Sequence, residues 1–247
     1  MNSTNNISAR ASYDYAKKMF YSAFRDKFSY DLMGDEACME FVNNLKLSQG
    51  EVRSEVQLTT TANRFVFGIT NQQMSTGASA LTNTESNQRL NLQDSLCVSE
   101  YAIFLAKPAS STSTIFNLDT WGNPSTYTTS NVATAADGTF YSNGIFQLTC
   151  NNDVLIPARG LLNHRYVPQT QFRTFTAAST GDQVAAKDQQ RGAEDAFVTC
   201  EPNIVLIGSK NYIPSIILPA ALAAVESVQR AVIIFRGILA QNSTVIS

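Results

Sequence analysis

Histidine is all but missing: His164 is the one copy in 247 residues. A Ser-His-Asp triad would have to pass through it, and so would any imidazole-rich zinc site. No G-x-S-x-G elbow occurs, and the setting L-L-N-H-R-Y reads as a packed or loop histidine rather than a general base. The four cysteines, Cys38, Cys97, Cys150 and Cys200, stand about fifty or more residues apart, with no C-x-x-C pair among them. That spacing removes the redox dithiol and the thiolate zinc site. Free, partly buried thiols fit a chain that matures in a reducing cytoplasm, although four cysteines allow two bridges by count. A strong charge of either sign is lacking too: 18 basic against 20 acidic residues leave a net charge of −2. Net charge therefore offers no argument for wrapping nucleic acid or lying on an anionic membrane. Neither a Walker loop, nor G-x-G-x-x-G, nor a D-x-D-x-D-G calcium loop is present. The reading is a protein with no catalytic set, no metal, no cofactor and no small-molecule substrate.

A long uninterrupted apolar run is also lacking. The nearest approach, IVLIGSKNYIPSIILPAALAA at 204–224, carries Ser209, Lys210 and Asn211 inside it, and Pro214 and Pro219 would break a helix. A bilayer span needs roughly twenty unbroken apolar residues. The run divides instead into strand, turn and strand, with G-S-K-N as a hairpin connection that makes Ile204–Ile207 and Ile213–Leu218 antiparallel neighbours. Near-continuous apolarity in IVLI, SIIL and VIIF implies strands covered on both faces. One cover is an opposing sheet. The other is the N-terminal helical segment or a neighbouring subunit. The polar start MNSTNNISAR fits no signal peptide.

What the chain does hold changes period near residue 50. From Ser12 to Leu32, Tyr13, Ala16, Phe20, Phe24, Phe28 and Leu32 recur every three or four residues and predict one amphipathic helix, capped by Ser12 and ended by Gly34 as its C′ residue. A second helix is expected over 35–45, with Cys38, Phe41, Val42 and Leu45 inward. Arg10, Lys17, Lys18, Arg25 and Lys27 stand against Asp14 and Asp26 in this region and read as a solvated helix face rather than a phosphate-binding arm. The aromatic stripe of Tyr13, Phe20, Phe24 and Phe28 needs a surface to bury against, and these four are the candidate assembly interface.

After Gly50 the period is two. Val52, Val56 and Leu58, then Phe65, Phe67 and Ile69, alternate with polar neighbours. Further strands are expected at 96–105, ending before Pro108; at Phe146–Cys150, preceded by a turn or bulge at Asn143-Gly144; at Val154–Ile156, stopped by Pro157; at an edge segment over 167–175; and at 196–207, 213–218 and 230–239. The segment AALAAVESVQR is expected to be a short helix or a crossing connection. Long polar loops fill 70–88, 107–138 and 177–195. Roughly eight strands with unequal loops and no fixed repeat predict a mainly β fold: a single jelly-roll β-sandwich domain over 51–247, preceded by an N-terminal amphipathic helical arm over 1–50.

RLNLQDSLCVSEYAIFLAKP, FYSNGIFQLTC, PNIVLIGSKNYIPSIILP and AVIIFRGILAQN resemble segments of structural proteins of phages that infect Bacteroidetes, over about residues 89–247. The chain looks like a jelly-roll virion coat protein. That resemblance implies a capsid subunit that self-assembles into an icosahedral shell with copies of itself and other virion proteins, put together in the host cytoplasm. It departs from the double-jelly-roll lineage in having strands for about one sandwich. Two alternatives follow from the residues. A carbohydrate-binding or adhesion module would stack Trp121, Tyr127 and Tyr141 on a glycan. A glycoside-active enzyme would pair two of Asp94, Glu100, Asp119 and Asp137 across a groove.

Overall fold

The computed structural model describes residues 3–70, 89–109, 118–120, 140–151, 153–165, 196–222, 225 and 228–244. Among these residues two helices, α1 (Ser3–Phe24) and α2 (Leu32–Asn44), precede nine strands. The strands are β1 (Lys46–Gln57), β2 (Arg64–Val66), β3 (Ser95–Ala106), β4 (Leu118–Asp119), β5 (Ile145–Cys150), β6 (Asp153–Gly160), β7 (Val198–Ile207), β8 (Tyr212–Ile217) and β9 (Arg230–Gln241). The chain is mainly β, and every pairing among these strands is antiparallel.

The helical region departs from the expected single helix ending at Gly34. Ser12 lies inside α1, which starts at Ser3 and gives way to one 3-10 turn at Arg25–Lys27. Phe28 is extended, and Asp31 then caps α2 by accepting from the Gly34 N–H at 2.7 Å. Gly34 is thus in a first turn, not after a last one. A Cβ there would overlap the Ser29 carbonyl. The 3.6-residue spacing ran through the break by coincidence of count: Phe28 still packs on Phe41, at 5.8 Å, while Leu32 is left 81% exposed. β1 begins at Lys46, four residues before Gly50, because helix propensity fails at Asn43-Asn44.

One sheet runs β1-β9-β3, with β7 along the first half of β3 and the short β4 at its far end. The other runs β2-β8-β5-β6. Strands that follow one another in sequence mostly lie in different sheets, and this overturns the expected β7–β8 hairpin. G-S-K-N carries the chain from one sheet to the other. The Ile207 N–H donates to the Tyr212 hydroxyl at 2.7 Å, and the Gly208 N–H donates to the Asp94 carbonyl at 2.9 Å, so the corner is pinned by groups outside any ladder. β6 also continues through Pro157 to Gly160 rather than stopping there. It is an edge strand, where a missing N–H costs no ladder bond.

Period-two geometry sorts the long strands into two faces. On β9, Ala231, Ile233 and Phe235 point inward, and on β3 so do Tyr101, Ile103 and Leu105. They form one buried cluster with Phe65, Phe146, Leu148, Ile156, Tyr212 and Ile216 of the other sheet. The alternate residues of the same strands are buried as well, under different covers. Cys97, Ile207, Ile238 and Ala240 lie beneath the helices, while Ala102, Phe104, Val232 and Ile234 cluster with Ala196. Two covers thus account for the continuous apolarity of IVLI and VIIF. In SIIL the outward Ile217 is only half-buried, so that segment has one full cover.

The β3–β9 ladder shifts register between Val98 and Glu100, opposite Gly237. A side chain at Gly237 would overlap the Cys97 carbonyl, so glycine lets the backbones meet at this bulge. Residues 71–88, the expected edge segment at 167–175, most of 107–138, all of 177–195 and four residues of AALAAVESVQR lie outside the described residues.

Candidate functional site

The candidate interface residues come together on one side of the first sheet. Phe20 and Phe24 stack at 6.0 Å and are fully buried against Cys38, Val42 and the outward residues of β3, β7 and β9. Tyr13 and Phe28 are partly buried at the margin of the same cluster. Phe41 meets Phe24 edge-on at 5.8 Å, and the Lys27 ammonium lies 4.9 Å from the Phe24 ring centre. The stripe is therefore covered by the chain's own sheet. Any part these side chains play in assembly acts through the position of the helices.

Beside the helices the outer face of the sheet opens into a groove of about 980 Å³, lined by Ala11, Ser12 and Tyr15 of α1 and by residues of β1, β3, β7 and β9. The outward series on β9 explains its chemistry. Ile238 lies under the helices and Ile234 in the next apolar cluster, and between them Arg236 is left at the groove floor. Arg236 Nε bonds Glu51 at 2.9 Å, Nη1 is 4.0 Å from Glu100, and the guanidinium lies 3.9 Å over the Phe197 ring. With Glu201 the groove holds three carboxylates to one guanidinium and suits hydrogen-bond donors or a cationic group. Cys97, also in its lining, is no nucleophile: burial pushes its thiol up to about 11. Sequence reasoning missed the groove, because Glu51, Glu100 and Arg236 meet only through the β1–β9–β3 register.

Of the carboxylates weighed for an enzyme, the three among the described residues, Asp94, Glu100 and Asp119, do not meet. Asp94 precedes β3 and Asp119 pairs with Leu105 at its far end, eleven residues along a strand, or roughly 35 Å. Glu100 lies between them, roughly 17–20 Å from either. A glycosidase pair stands roughly 5–10 Å apart. Asp137, Trp121 and Tyr127 lie outside the described residues. Tyr141 is buried, and its hydroxyl donates toward the Ile103 and Asp119 carbonyls, each at 3.2 Å. That is a structural anchor, and burial holds its pKa well above the ordinary phenol value.

His164 is buried against Tyr101, with ring centres 4.9 Å apart, and its Nδ1–H donates to the Ala196 carbonyl at 3.2 Å. Burial holds its pKa down at about 4, so the ring is neutral at pH 7. All four cysteines are buried and free. Among the described residues there is no cluster of three or more His, Cys, Asp or Glu suited to a metal, and no helix long and apolar enough to cross a membrane.

One buried ionic cluster was likewise not legible in the sequence. Glu55 accepts from Arg53 at 2.6 Å and from Arg230 at 2.8 Å on the outer face of β1 and β9. It closes the end of the sheet opposite the helices.

Compared with known proteins, the chain matches no family model, no curated protein and no solved structure.

Proposed function

We propose that this chain is a structural subunit of a virion shell, a single jelly roll whose N-terminal helices are folded onto the outer face of one sheet, and that it assembles with copies of itself. The observation that carries the reading is the strand order. Leaving aside the two-residue β4, the eight strands among the described residues lie as β1-β9-β3-β7 and β2-β8-β5-β6, and the chain changes sheets at every step except the β5–β6 hairpin. That order is the one a jelly roll requires, and jelly rolls build viral capsids as well as lectins and cupins. The cluster of inward residues from both sheets supports the sandwich.

Fold alone does not choose among those functions. The surface favours assembly: several large exposed apolar side chains, Tyr30, Leu32, Met33 and Met39, belong to the helical layer. The near-zero net charge favours contacts with protein over a role in wrapping genome or lying on lipid. Gel filtration followed by negative-stain electron microscopy tests the reading. Closed particles of uniform size are expected. A small species that binds a glycan array through Trp121 and Tyr127 would replace this reading with the adhesion module.

A further inference from the structure

Four exposed apolar side chains belong to the helical layer, with Leu32 and Met39 on one face of α2 and Met33 about 100° around the helix from Leu32. Tyr30 is 78% exposed, Leu32 81%, Met33 79% and Met39 55%. Leu32, Glu36, Met39 and Asn43 recur at i, i+4, i+7 and i+11 of α2 and so occupy one helix face. At the far end of that face a groove of about 400 Å³ runs between the helices, lined by Lys17, Lys18, Tyr21, Met39, Val42 and Asn43. Its floor is apolar and its charged rim holds two lysines and no carboxylate.

The near end has the opposite character. Around Tyr30, Leu32 and Met33 stand Asp26, Asp31, Asp35 and Glu36, against Arg25 and Lys27. Arg25 is paired with Asp35 and also lies 5.0 Å from the Tyr30 ring. Asp31 is held on the Gly34 N–H at 2.7 Å and the Ser29 hydroxyl at 2.8 Å, so its charge is fixed at the surface. A protruding apolar knuckle with an acidic surround therefore sits beside an apolar groove with a basic rim. Seven helical residues, roughly 10 Å, separate Leu32 from Met39.

We propose that this face is an interface between two copies of the chain. The helix pairs pack antiparallel about a two-fold axis passing between Leu32 and Met39, so that Leu32 of each copy enters the Lys17–Val42 groove of the other. Only the antiparallel arrangement brings the acidic end of one copy against the lysines of its partner, and it closes both contacts at once, as an isologous interface must. A parallel arrangement would set lysines against lysines. The contact rests on the assembly reading above and names the surface that joins neighbours.

The test uses the full chain in three variants, at positions that are exposed except for the half-buried Lys17. K17E/K18E reverses the groove rim. L32D/M33D removes the knuckle and adds charges that suit the first turn of α2. K17E/K18E/D26K restores opposite charge between the groove rim and the acidic end of the partner. Circular dichroism first checks that each folds as wild type does. Sedimentation velocity over a concentration series then measures association. The expected result is self-association of the wild type, weakening by about tenfold or more in each double variant, and partial recovery in the triple variant. Particles that form equally well from wild type and both double variants would overturn this interface and leave the shell reading standing. A wild type that stops at a dimer lost in both double variants would support the interface and count against the shell. A wild type that stays monomeric would overturn both.

Discussion

Phe24→Ala strikes the helix layer at its centre. The ring is fully buried, stacked on Phe20 and edge-on to Phe41. Truncating a buried phenylalanine costs about 3–5 kcal/mol, which includes about 0.5–1.5 kcal/mol for each aromatic pair that the substitution breaks. The loss falls on the helices rather than on the whole fold, because the cluster around Phe24 is separate from the one between the sheets. Local opening of the helical layer becomes easier by about 3 kcal/mol, which raises the open population about a hundredfold. The thiols report it. Cys38 and Cys97 lie in the helix–sheet cluster and Cys150 lies between the sheets. Burial raises the pKa of all three, so each is inert until its cover lifts. A timed pulse of iodoacetamide under native conditions, read by peptide mass spectrometry, should label Cys38 and Cys97 about a hundredfold faster in the variant and leave Cys150 within about twofold of wild type. Acceleration of all three together would mean that helices and sheets unfold as one unit. No change at Cys97 would mean that the helices do not cover it.

Three further outcomes follow. Glu55→Gln leaves the guanidinium groups of Arg53 and Arg230 without their shared carboxylate, and should lower stability by about 3 kcal/mol, seen as a reduced urea midpoint with unchanged slope. A neutral His164 makes the fold acid-sensitive: below about pH 6.5 the unfolded chain takes up a proton that the folded chain refuses until about pH 4. Stability is therefore intact above pH 6.5 and falls by up to about 3 kcal/mol between pH 6.5 and 4; His164→Asn should flatten that part of the profile in urea titrations at stepped pH. Gly237→Ala sets a methyl group on the Cys97 carbonyl across the β3–β9 ladder, and should cost about 1–3 kcal/mol, read as a lower melting temperature.

The sequence showed the elements better than their connections. Strict alternation in Phe146, Leu148 and Cys150, and the doubly apolar VIIF, located β5 and β9, because both faces of a strand are encoded locally. The partner of β7 was not legible. G-S-K-N has the composition of a hairpin, and nothing local says that the next strand enters the other sheet. That is decided by Tyr212 accepting the Ile207 N–H and by the pairing of β7 with a strand about a hundred residues earlier. The helix break failed for a different reason. Phe20, Phe24 and Phe28 kept helical spacing across a turn, so the Asp31 cap was the only marker, and Gly34 three residues on looked like an ending. The candidate site divides in the same way. The aromatic stripe was visible as a pattern, whereas the Glu51–Arg236–Glu100 groove exists only through strand register and had no local signal.

The most direct test of the central claim is sedimentation velocity of the purified full-length chain across a range of protein concentration and salt, with electron cryomicroscopy of the fastest boundary. The account predicts a boundary far heavier than the 27.0 kDa chain, and a particle map in which each subunit shows the β1-β9-β3-β7 and β2-β8-β5-β6 sheets with its helices against the first. A single boundary at the mass of one chain under every condition would contradict it.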